Sequence, residues 1–145
     1  MFILVIPMHD DNCIFCKIVK GQIPSSQIYE DDSSLAFLDI APFTKGHSIV
    51  IPKNHYANLL DFPEEEMKSF FSAIKKVVAK IKDKMNADGI NLMQNNFKAA
   101  GQEVSHLHFH VIPRWNDDRA FPFRVKKLDL SKDEINEILN TLNSS

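Results

Sequence analysis

Apolar residues recur at two different spacings along the chain, and each spacing predicts a different element. Between Pro63 and Gly89 they return every three or four residues, as on one face of an α-helix. The predicted apolar stripe consists of Met67, Phe70, Phe71, Ile74, Val77, Val78, Ile81 and Met85. Pro63 is tolerated in a first helical turn, and the glutamates after it favour the positive end of the helix dipole. The sequence therefore predicts one long amphipathic helix that ends between Asn86 and Gly89.

Shorter apolar segments on both sides of this helix predict strands. Residues 27–31 and 34–40 surround a polar turn and indicate a hairpin. Residues 46–52 predict a third strand, which Pro52 ends. Residues 90–95 and 104–112 predict two more strands, joined by a polar loop. Strands followed by a helix and further strands are typical of an α+β domain with an antiparallel sheet.

Two short helices are predicted near the ends of the chain. Residues 13–20 form the first, which Gly21 stops. The second spans about 131–143, because Ser131 and Glu134 have the spacing of a capping box and precede an apolar stripe.

Composition and charge exclude several classes of protein. The 145 residues include 17 Lys and Arg against 19 Asp and Glu, which gives a formal net charge of −2. This balance argues against a polybasic protein that binds nucleic acid or a membrane surface. No apolar run approaches the roughly 20 residues of a membrane span, and Phe2–Ile6 is too short for a signal-peptide core. That segment suits either an edge strand or a disordered end. The length of the chain suits one domain. Two cysteines are too few for the disulfide framework of a secreted protein, so we expect a cytoplasmic location.

Three of the six histidines alternate with apolar residues in the segment from His106 to His110. Successive side chains of a strand point to opposite faces, so Leu107 and Phe109 are expected in the core. The three imidazoles then share the other face, where we expect them to face solvent with the central ring, His108, free to react. An ordinary solvent-exposed strand face would instead consist of residues such as Lys, Thr, Glu and Ser.

Two kinds of chemistry suit this row of imidazoles. A His-x-His pair can ligate a metal ion together with ligands from elsewhere, although His106 and His110 are about 13 Å apart in a strand. Alternatively, a neutral imidazole is a good nucleophile and leaving group near pH 7, which suits transfer of a phosphoryl group. The loop before the strand favours phosphate, because Gly101 allows close backbone approach and exposed amides bind anions.

The two cysteines form a Cys13-x-x-Cys16 pair, which suits zinc, a redox pair or two buried small hydrophobes. A closed tetrahedral zinc site needs two further ligands. The histidines available for this are His9, His47, His55 and His106.

The segment from His106 to Ile112 resembles the His-φ-His-φ-His-φ-φ signature of the histidine-triad (HIT) family, where φ is an apolar residue. Ala100-Gly101-Gln102-x-Val104 before it and Pro113-Arg114 after it extend the match. Upstream segments fit the same pattern in the same order: Ile23-Pro24, Tyr29-Glu30-Asp31-Asp32, Ala36-Phe37-Leu38-Asp39-Ile40 and Gly46-His47-Ser48-Ile49-Val50-Ile51-Pro52-Lys53. The resemblance is closest to the Hint-like nucleotide-binding branch, in its zinc-containing bacterial or protist type.

This resemblance implies a HIT-like fold: an antiparallel sheet of about five strands with one long helix and short terminal helices. It also implies a HIT domain over residues 13–115, an N-terminal extension over 1–12 and a C-terminal extension over 116–145. Members of the family commonly form homodimers, so a homodimer is expected, with neither nucleic acid nor membrane as a partner.

The resemblance further implies a nucleotide hydrolase or transferase that acts on purine nucleotide conjugates. His108 matches the nucleophile that attacks the α-phosphorus and forms a nucleotidyl-histidine, and His110 matches the histidine that contacts a phosphate oxygen. His47 matches a fourth histidine of the polar network, and Gln102 is assigned to the catalytic set. The conjugates in such families are phosphoramidates, acyl-adenylates and dinucleoside polyphosphates.

Binding residues are carried over in the same way. Asp39 matches the carboxylate that accepts both ribose hydroxyls, while Asn95 and Gln102 match contacts on the phosphate side. The apolar slot for the purine is matched by Phe15, Ile18, Ile23, Phe37 and Ile40. The loop residues Gly101, Glu103 and Val104 complete the predicted nucleotide-binding set.

Relatives of the zinc-containing type hold the ion with a set that corresponds here to Cys13, Cys16, His55 and His106. All four ligands come from the protein, so such an ion is structural, and no catalytic metal is expected. Two departures from the family pattern affect substrate preference. Glu103 stands where several relatives have Ser or Thr, and Phe97 stands where glycine is common. A carboxylate at 103 favours a cationic or neutral leaving group over an acidic one.

Two other functions remain open from the sequence. One is a non-catalytic nucleotide-binding or scaffold protein with structural zinc. The other is a metallo-hydrolase that uses a His-x-His pair as catalytic ligands.

Overall fold

The computed structural model describes residues 8–120 and 126–145. Its centre is a five-stranded antiparallel sheet, in which strands β1 to β5 lie in the order β1-β2-β3-β5-β4. The α+β class and the strand number are as predicted. The strands are β1 (Gln27–Glu30), β2 (Ser34–Leu38), β3 (Ser48–Pro52), β4 (Gly89–Met93) and β5 (Phe109–Arg114).

Three α-helices accompany the sheet: α1 (Ile14–Val19), α2 (Glu64–Lys84) and α3 (Lys132–Asn143). Single 3-10 turns span Leu59–Asp61 and Lys98–Ala100. Pro63 is the N-cap of α2, and Ser131 caps α3 through the reciprocal bonds with Glu134 that define a capping box. None of these helices is both long enough and apolar enough to cross a membrane.

Each face of the sheet is covered by one helix. The apolar stripe of α2 packs on one face together with every second residue of the triad segment; this cluster includes Phe70, Ile74, Val77, Ile81, Ala36, Val50, Leu107, Phe109 and Val111. Helix α1 covers the other face, in a second cluster of Cys13, Phe15, Cys16, Ile18, Leu35, Phe37, Ile49 and Ile51. Full burial of one large apolar side chain stabilises the fold by about 1.5–3 kcal/mol. The active-site candidates lie on the α1 face of the sheet.

The last strand begins later than predicted. Residues 104–108 are irregular, and β5 starts at Phe109 and runs through Pro113 to Arg114. Its ladder with β3 ends at the pair Val50 and Phe109, because Pro52 has no N–H to donate and its carbonyl accepts a hydrogen bond from the His106 ring at 2.8 Å. Only the third histidine of the triad is therefore inside a strand.

Helix α3 stands apart from the two core clusters. Its apolar side chains Ile135, Ile138, Leu139 and Leu142 are between 43% and 75% exposed. The segment Phe2–Ile6, for which a strand or a disordered end was predicted, lies outside the described residues.

Gly46 offers a test of how tightly β3 approaches the end of α2. Its φ is +94°, and a Cβ at this position would lie 3.1–3.3 Å from Met85 and Pro113. We expect Gly46→Ala to lower the free energy of unfolding by about 1–3 kcal/mol, measured by urea denaturation. Gly89→Ala is the control, because a Cβ there meets open space and the backbone is not in the left-handed region. An equal loss in both variants would contradict this account.

Candidate functional site

The three triad histidines share one side of their segment, but that side is covered rather than solvated. Leu107 and Phe109 are in the α2 core as predicted, whereas His106 is 0% and His108 5% exposed. The expectation that the rings face solvent is wrong for these two. The cover comes from α1, because the Phe15 ring meets both imidazoles edge-on, with centroids 5.8 Å from His106 and 5.2 Å from His108.

A single hydrogen bond fixes the tautomer of His108. Its Nδ1 lies 2.6 Å from the backbone carbonyl of His106, and since a carbonyl only accepts, Nδ1 must carry the proton. In the neutral ring the lone pair is therefore on Nε2. Burial lowers the pKa of His108, although the carboxylates of Asp39 and Glu103 act in the opposite direction. The central histidine is thus a neutral imidazole near pH 7, with one basic nitrogen available.

Beside His108, two successive hydrogen bonds link the Phe43 backbone to His47 and His47 to His110. The backbone N–H of Phe43 donates to Nδ1 of His47 at 3.0 Å, so the His47 proton is on Nε2. That Nε2 lies 2.9 Å from Nδ1 of His110 and must be the donor in this contact. The proton of neutral His110 is then on Nε2, which is free to donate to a ligand oxygen. Burial, followed by repulsion from His108 and His47, lowers the pKa of His110 to about 4.

Asp39 lies beside these two histidines. One carboxylate oxygen accepts from the backbone N–H of Ala41 at 2.8 Å. The other is 3.5 Å from Nε2 of His47 and 3.9 Å from Nδ1 of His110. Burial lowers the pKa of His47, and Asp39 partly offsets this. The carboxylate side chain is 15% exposed, so a ligand can reach only part of it.

These groups surround a cavity of about 220 Å³. It is lined by Asp39, Ala41, Phe43, His47, Met93, Asn95, Gly101, Glu103 and His110. The structure thus brings six predicted site residues to one cavity: Asp39, His47, Asn95, Gly101, Glu103 and His110. His108 lies next to His110, with ring centroids 5.0 Å apart.

Gln102 lies behind this cavity and makes contacts that the sequence did not predict. Its amide nitrogen donates to the backbone carbonyls of Ala57 and Val104, and its oxygen accepts from the Phe97 N–H. The side chain therefore holds the loop before the triad in shape. Its assignment to phosphate contact and catalysis stays a prediction.

Of the residues predicted for the purine slot, most lie in the α1 core cluster or pack against it, and one is exposed. Phe15, Ile18 and Phe37 are buried in the α1 cluster, with Ile23 and Val104 packed against it. Ile40 is 99% exposed, next to Asp39. The buried members are core residues in this conformation, and Ile40 is the one that offers open apolar surface.

The four predicted metal ligands lie together between α1 and the start of the triad segment. The ligand atoms of Cys13, Cys16, His55 and His106 are all within 4.8 Å of one another. Nδ1 of His106 is 3.4 Å from Sγ of Cys13 and 3.6 Å from Sγ of Cys16, and Nδ1 of His55 is 3.4 Å from Sγ of Cys16. Bond lengths of zinc to sulfur and nitrogen give a tetrahedral edge of about 3.6 Å, which these separations match.

The protonation of this cluster also fits a cation. Nε2 of His106 donates to the Pro52 carbonyl, which leaves the lone pair of Nδ1 directed at the two sulfurs. Nε2 of His55 is 4.0 Å from the Asp10 carboxylate, an outer partner of the kind that metal-bound histidines have. Burial raises the pKa of Cys16 to about 11, so a bound cation is what would stabilise its thiolate.

A second group that could hold an ion, Asp39 with His47 and His110, does not fit one in this arrangement. Nδ1 of His47 accepts the Phe43 N–H, so its Nε2 carries a proton and has no lone pair for a metal. In the described parts of the chain, neither candidate metal group contains two histidines of the triad. This geometry gives no support to a His-x-His catalytic metal.

Phe43 is a site residue that sequence reasoning missed. Its ring stacks on His47 with centroids 5.1 Å apart and an interplanar angle of 15°. Because its N–H also fixes the His47 tautomer, Phe43 positions the whole histidine pair. Its place four residues before His47 gives no periodic signal, so only the folded turn shows this role.

The five-stranded sheet and the histidine triad are features of the HIT family, and comparison with known families gives the same assignment. The family model described as HIT domain matches residues 20–117, more than half of the chain. The chain belongs to the HIT family.

The alignments with individual relatives cover between 83% and 92% of the chain. It is 48% identical over 122 residues to an uncharacterised HIT-like protein of Methanocaldococcus jannaschii, which covers 83% of this chain and 94% of that protein. It is 40% identical over 133 residues to an adenosine 5'-monophosphoramidase of Schizosaccharomyces pombe, covering 92% and 97% respectively. A crystal structure of a HIT-family protein from Bacillus subtilis superposes with a TM-score of 0.83 at 42% identity, covering 91% and 95%.

The depressed pKa of His110 predicts acid sensitivity of the fold. The ring has a pKa of about 4 when folded and an ordinary value of 6.5, so the unfolded chain binds the extra proton between these values. Stability is therefore full above pH 6.5 and is lost as the pH falls towards 4. We expect His110→Gln to show a smaller loss in urea midpoint between pH 7 and pH 5 than the wild type. The exposed-site variant Lys76→Gln should match the wild type, and an unchanged loss in His110→Gln would contradict the assignment.

Proposed function

We propose that this protein hydrolyses purine nucleotide conjugates at the α-phosphate through a nucleotidyl intermediate on His108. The observation that carries the proposal is the bond from His108 Nδ1 to the His106 carbonyl, because it leaves the Nε2 lone pair as the nucleophile. Relatives at 40% and 46% identity, from Schizosaccharomyces pombe and Saccharomyces cerevisiae, are named adenosine 5'-monophosphoramidases, which supports a phosphoramidate as substrate.

The reaction has two displacement steps. The Nε2 lone pair of His108 forms a bond to phosphorus, and the bond to the leaving group breaks with its electron pair on the leaving atom. For a phosphoramidate, that nitrogen takes a proton from solvent and departs as an amine. Water then attacks phosphorus, the pair returns to Nε2, and the proton lost by water goes back to solvent. The products are a nucleoside monophosphate and the amine.

The surrounding groups suit the charge of this substrate. His110 presents its Nε2–H as a donor to a phosphate oxygen, since its Nδ1 is occupied by His47. Gly101, with φ +91°, lines the cavity and allows a phosphate to approach the backbone. Asp39 is the acceptor for the ribose hydroxyls, and the exposed side chains of Ile40, next in the chain, and Phe43, which lines the same cavity, offer apolar surface to the base.

We further propose that Cys13, Cys16, His55 and His106 hold a structural zinc ion. When bound, zinc ties α1 to the segment that carries the triad and stabilises both thiolates. All four positions are filled by protein groups, so the ion takes no part in the displacement.

The homodimer and the cytoplasmic location expected from the resemblance stay predictions. Strand β4 is an edge of the sheet, and its Leu92 is 46% exposed, which is compatible with a second copy at this edge. The non-catalytic alternative keeps the same nucleotide site and differs only in releasing no monophosphate.

The role of His108 is tested by His108→Ala with adenosine phosphoramidate as substrate. We expect turnover to fall by at least about 10³-fold while adenosine monophosphate affinity changes only a few-fold, because only the nucleophile is lost. Mass spectrometry of the wild type after rapid quenching in alkaline denaturant, which preserves the acid-labile P–N bond, should show one adenylyl group on His108. Nucleotide binding by the wild type without monophosphate release would favour the scaffold alternative.

The zinc proposal is tested by changing both cysteines to serine. We expect the double variant to lose the zinc that the wild type retains through dialysis, measured by atomic emission, because hydroxyls replace the two thiolates. His9→Ala is the matched control, since His9 is a nearby histidine outside the cluster. Stoichiometric zinc in the double variant would refute the assignment.

A further inference from the structure

A second, larger cavity adjoins the one that holds His110. It measures about 720 Å³ and is lined by Ala57, Asn58, Phe97, Lys98, Gly101, Gln102, Glu103 and Ser105. Gly101 and Glu103 line both cavities, whereas Asp39, Phe43 and His47 line the smaller one and not the larger one. The two cavities therefore meet on the side of the site that is not assigned to the ribose.

We propose that this larger cavity receives the leaving group and that Glu103 selects leaving groups that carry an ammonium group. The inference rests on the proposed function, in which Asp39 holds the ribose and His108 attacks phosphorus. With the ribose at Asp39 and the phosphate at His110, the leaving group lies beyond Gly101 and Glu103, the two residues that line both cavities.

Glu103 is suited to this selection because of its position and because its carboxylate has no ion-pair partner in the described parts of the chain. It is exposed and lines the same cavity as His110. Within residues 8–120 and 126–145, no ion pair includes Glu103, so its negative charge is not neutralised by a protein cation. A cationic group in the cavity would supply the missing partner, while an anionic group would be repelled.

Phe97 supports the same interpretation from an independent observation. Its φ is +70° with ψ 159°, a backbone region that favours glycine, and yet its ring is 54% exposed. The N–H of Phe97 donates to Gln102 at 2.8 Å, and its carbonyl accepts from the backbone N–H groups of Ala100 and Gln102 at 3.1 Å. The loop thus holds an aromatic ring in a strained position at the cavity wall, where it can contact an alkyl chain or a cation.

Lys98 also lines the cavity and has the opposite charge. Its ammonium group opposes a cationic leaving group, so removal of Lys98 and removal of Glu103 should shift charge preference in opposite directions. Opposite shifts in the two variants would show that the charge of Glu103 acts on the leaving group, because a general change of the loop shape would not depend on the sign of the charge removed.

The experiment compares two adenosine phosphoramidates of similar length, one made with diaminobutane and one with pentylamine. Their affinities are measured with His108→Ala protein, so the result does not depend on turnover. We expect the ammonium-bearing compound to bind about five- to tenfold more tightly, as for one charge pair near solvent. Adding Glu103→Gln should remove this preference, Lys98→Met should increase it, and Glu137→Gln on α3 should leave it unchanged.

Phe97→Gly provides the second readout. We expect it to weaken the pentylamine compound about threefold or more relative to adenosine monophosphate, without loss of stability, because glycine accepts the backbone angle. Equal binding of both phosphoramidates, or a preference that survives Glu103→Gln, would overturn the inference. Failure of the wild type to release monophosphate from either compound would instead contradict the proposed function, since the affinity comparison stands without it.

Discussion

The hydrogen bond from His108 Nδ1 to the His106 carbonyl is the contact on which the site depends. It assigns the basic nitrogen of the central ring without a carboxylate partner. The same residue, His106, directs its own Nδ1 at the two cysteine sulfurs and its Nε2 at the Pro52 carbonyl. One residue therefore connects α1, the end of β3 and the proposed nucleophile. A displacement of the cysteine cluster would move the carbonyl that orients His108.

Much of the fold follows from periodicity that is visible in the sequence. The stripe of α2 and the alternation through Leu107 and Phe109 place these side chains in one core, as predicted. The burial of the other face could not be predicted in the same way, because its cover is distant in the chain. Phe15 covers His108 from 93 positions away in sequence, and Pro52 ends the ladder that would have extended β5.

Site residues could be predicted where the family resemblance selected among the candidates, and not where one side chain has several possible partners. Ligand type and spacing indicated the cysteine pair but left four histidines open, and the resemblance to the HIT family selected His55 and His106. The four ligand atoms do lie together. Glutamine is both a donor and an acceptor, so Gln102 could contact a phosphate or the backbone. In the folded loop both of its N–H donors and one position on its oxygen are bonded to backbone groups. Sequence patterns carry no information about which of these partners is nearer.

Without a ligand, the three imidazole rings of the site are neutral, and a bound anion would favour their protonated forms. Burial lowers the pKa values of His47, His108 and His110, so all three rings are uncharged near pH 7. A protonated His108 could not attack phosphorus, and burial keeps it deprotonated more effectively than Asp39 and Glu103 favour its protonation. A bound phosphate would add negative charge and raise all three pKa values. In the proposed reaction, His108 would thus be neutral and nucleophilic before the substrate arrives, and the bound phosphate would stabilise the imidazolium that forms with the bond to phosphorus.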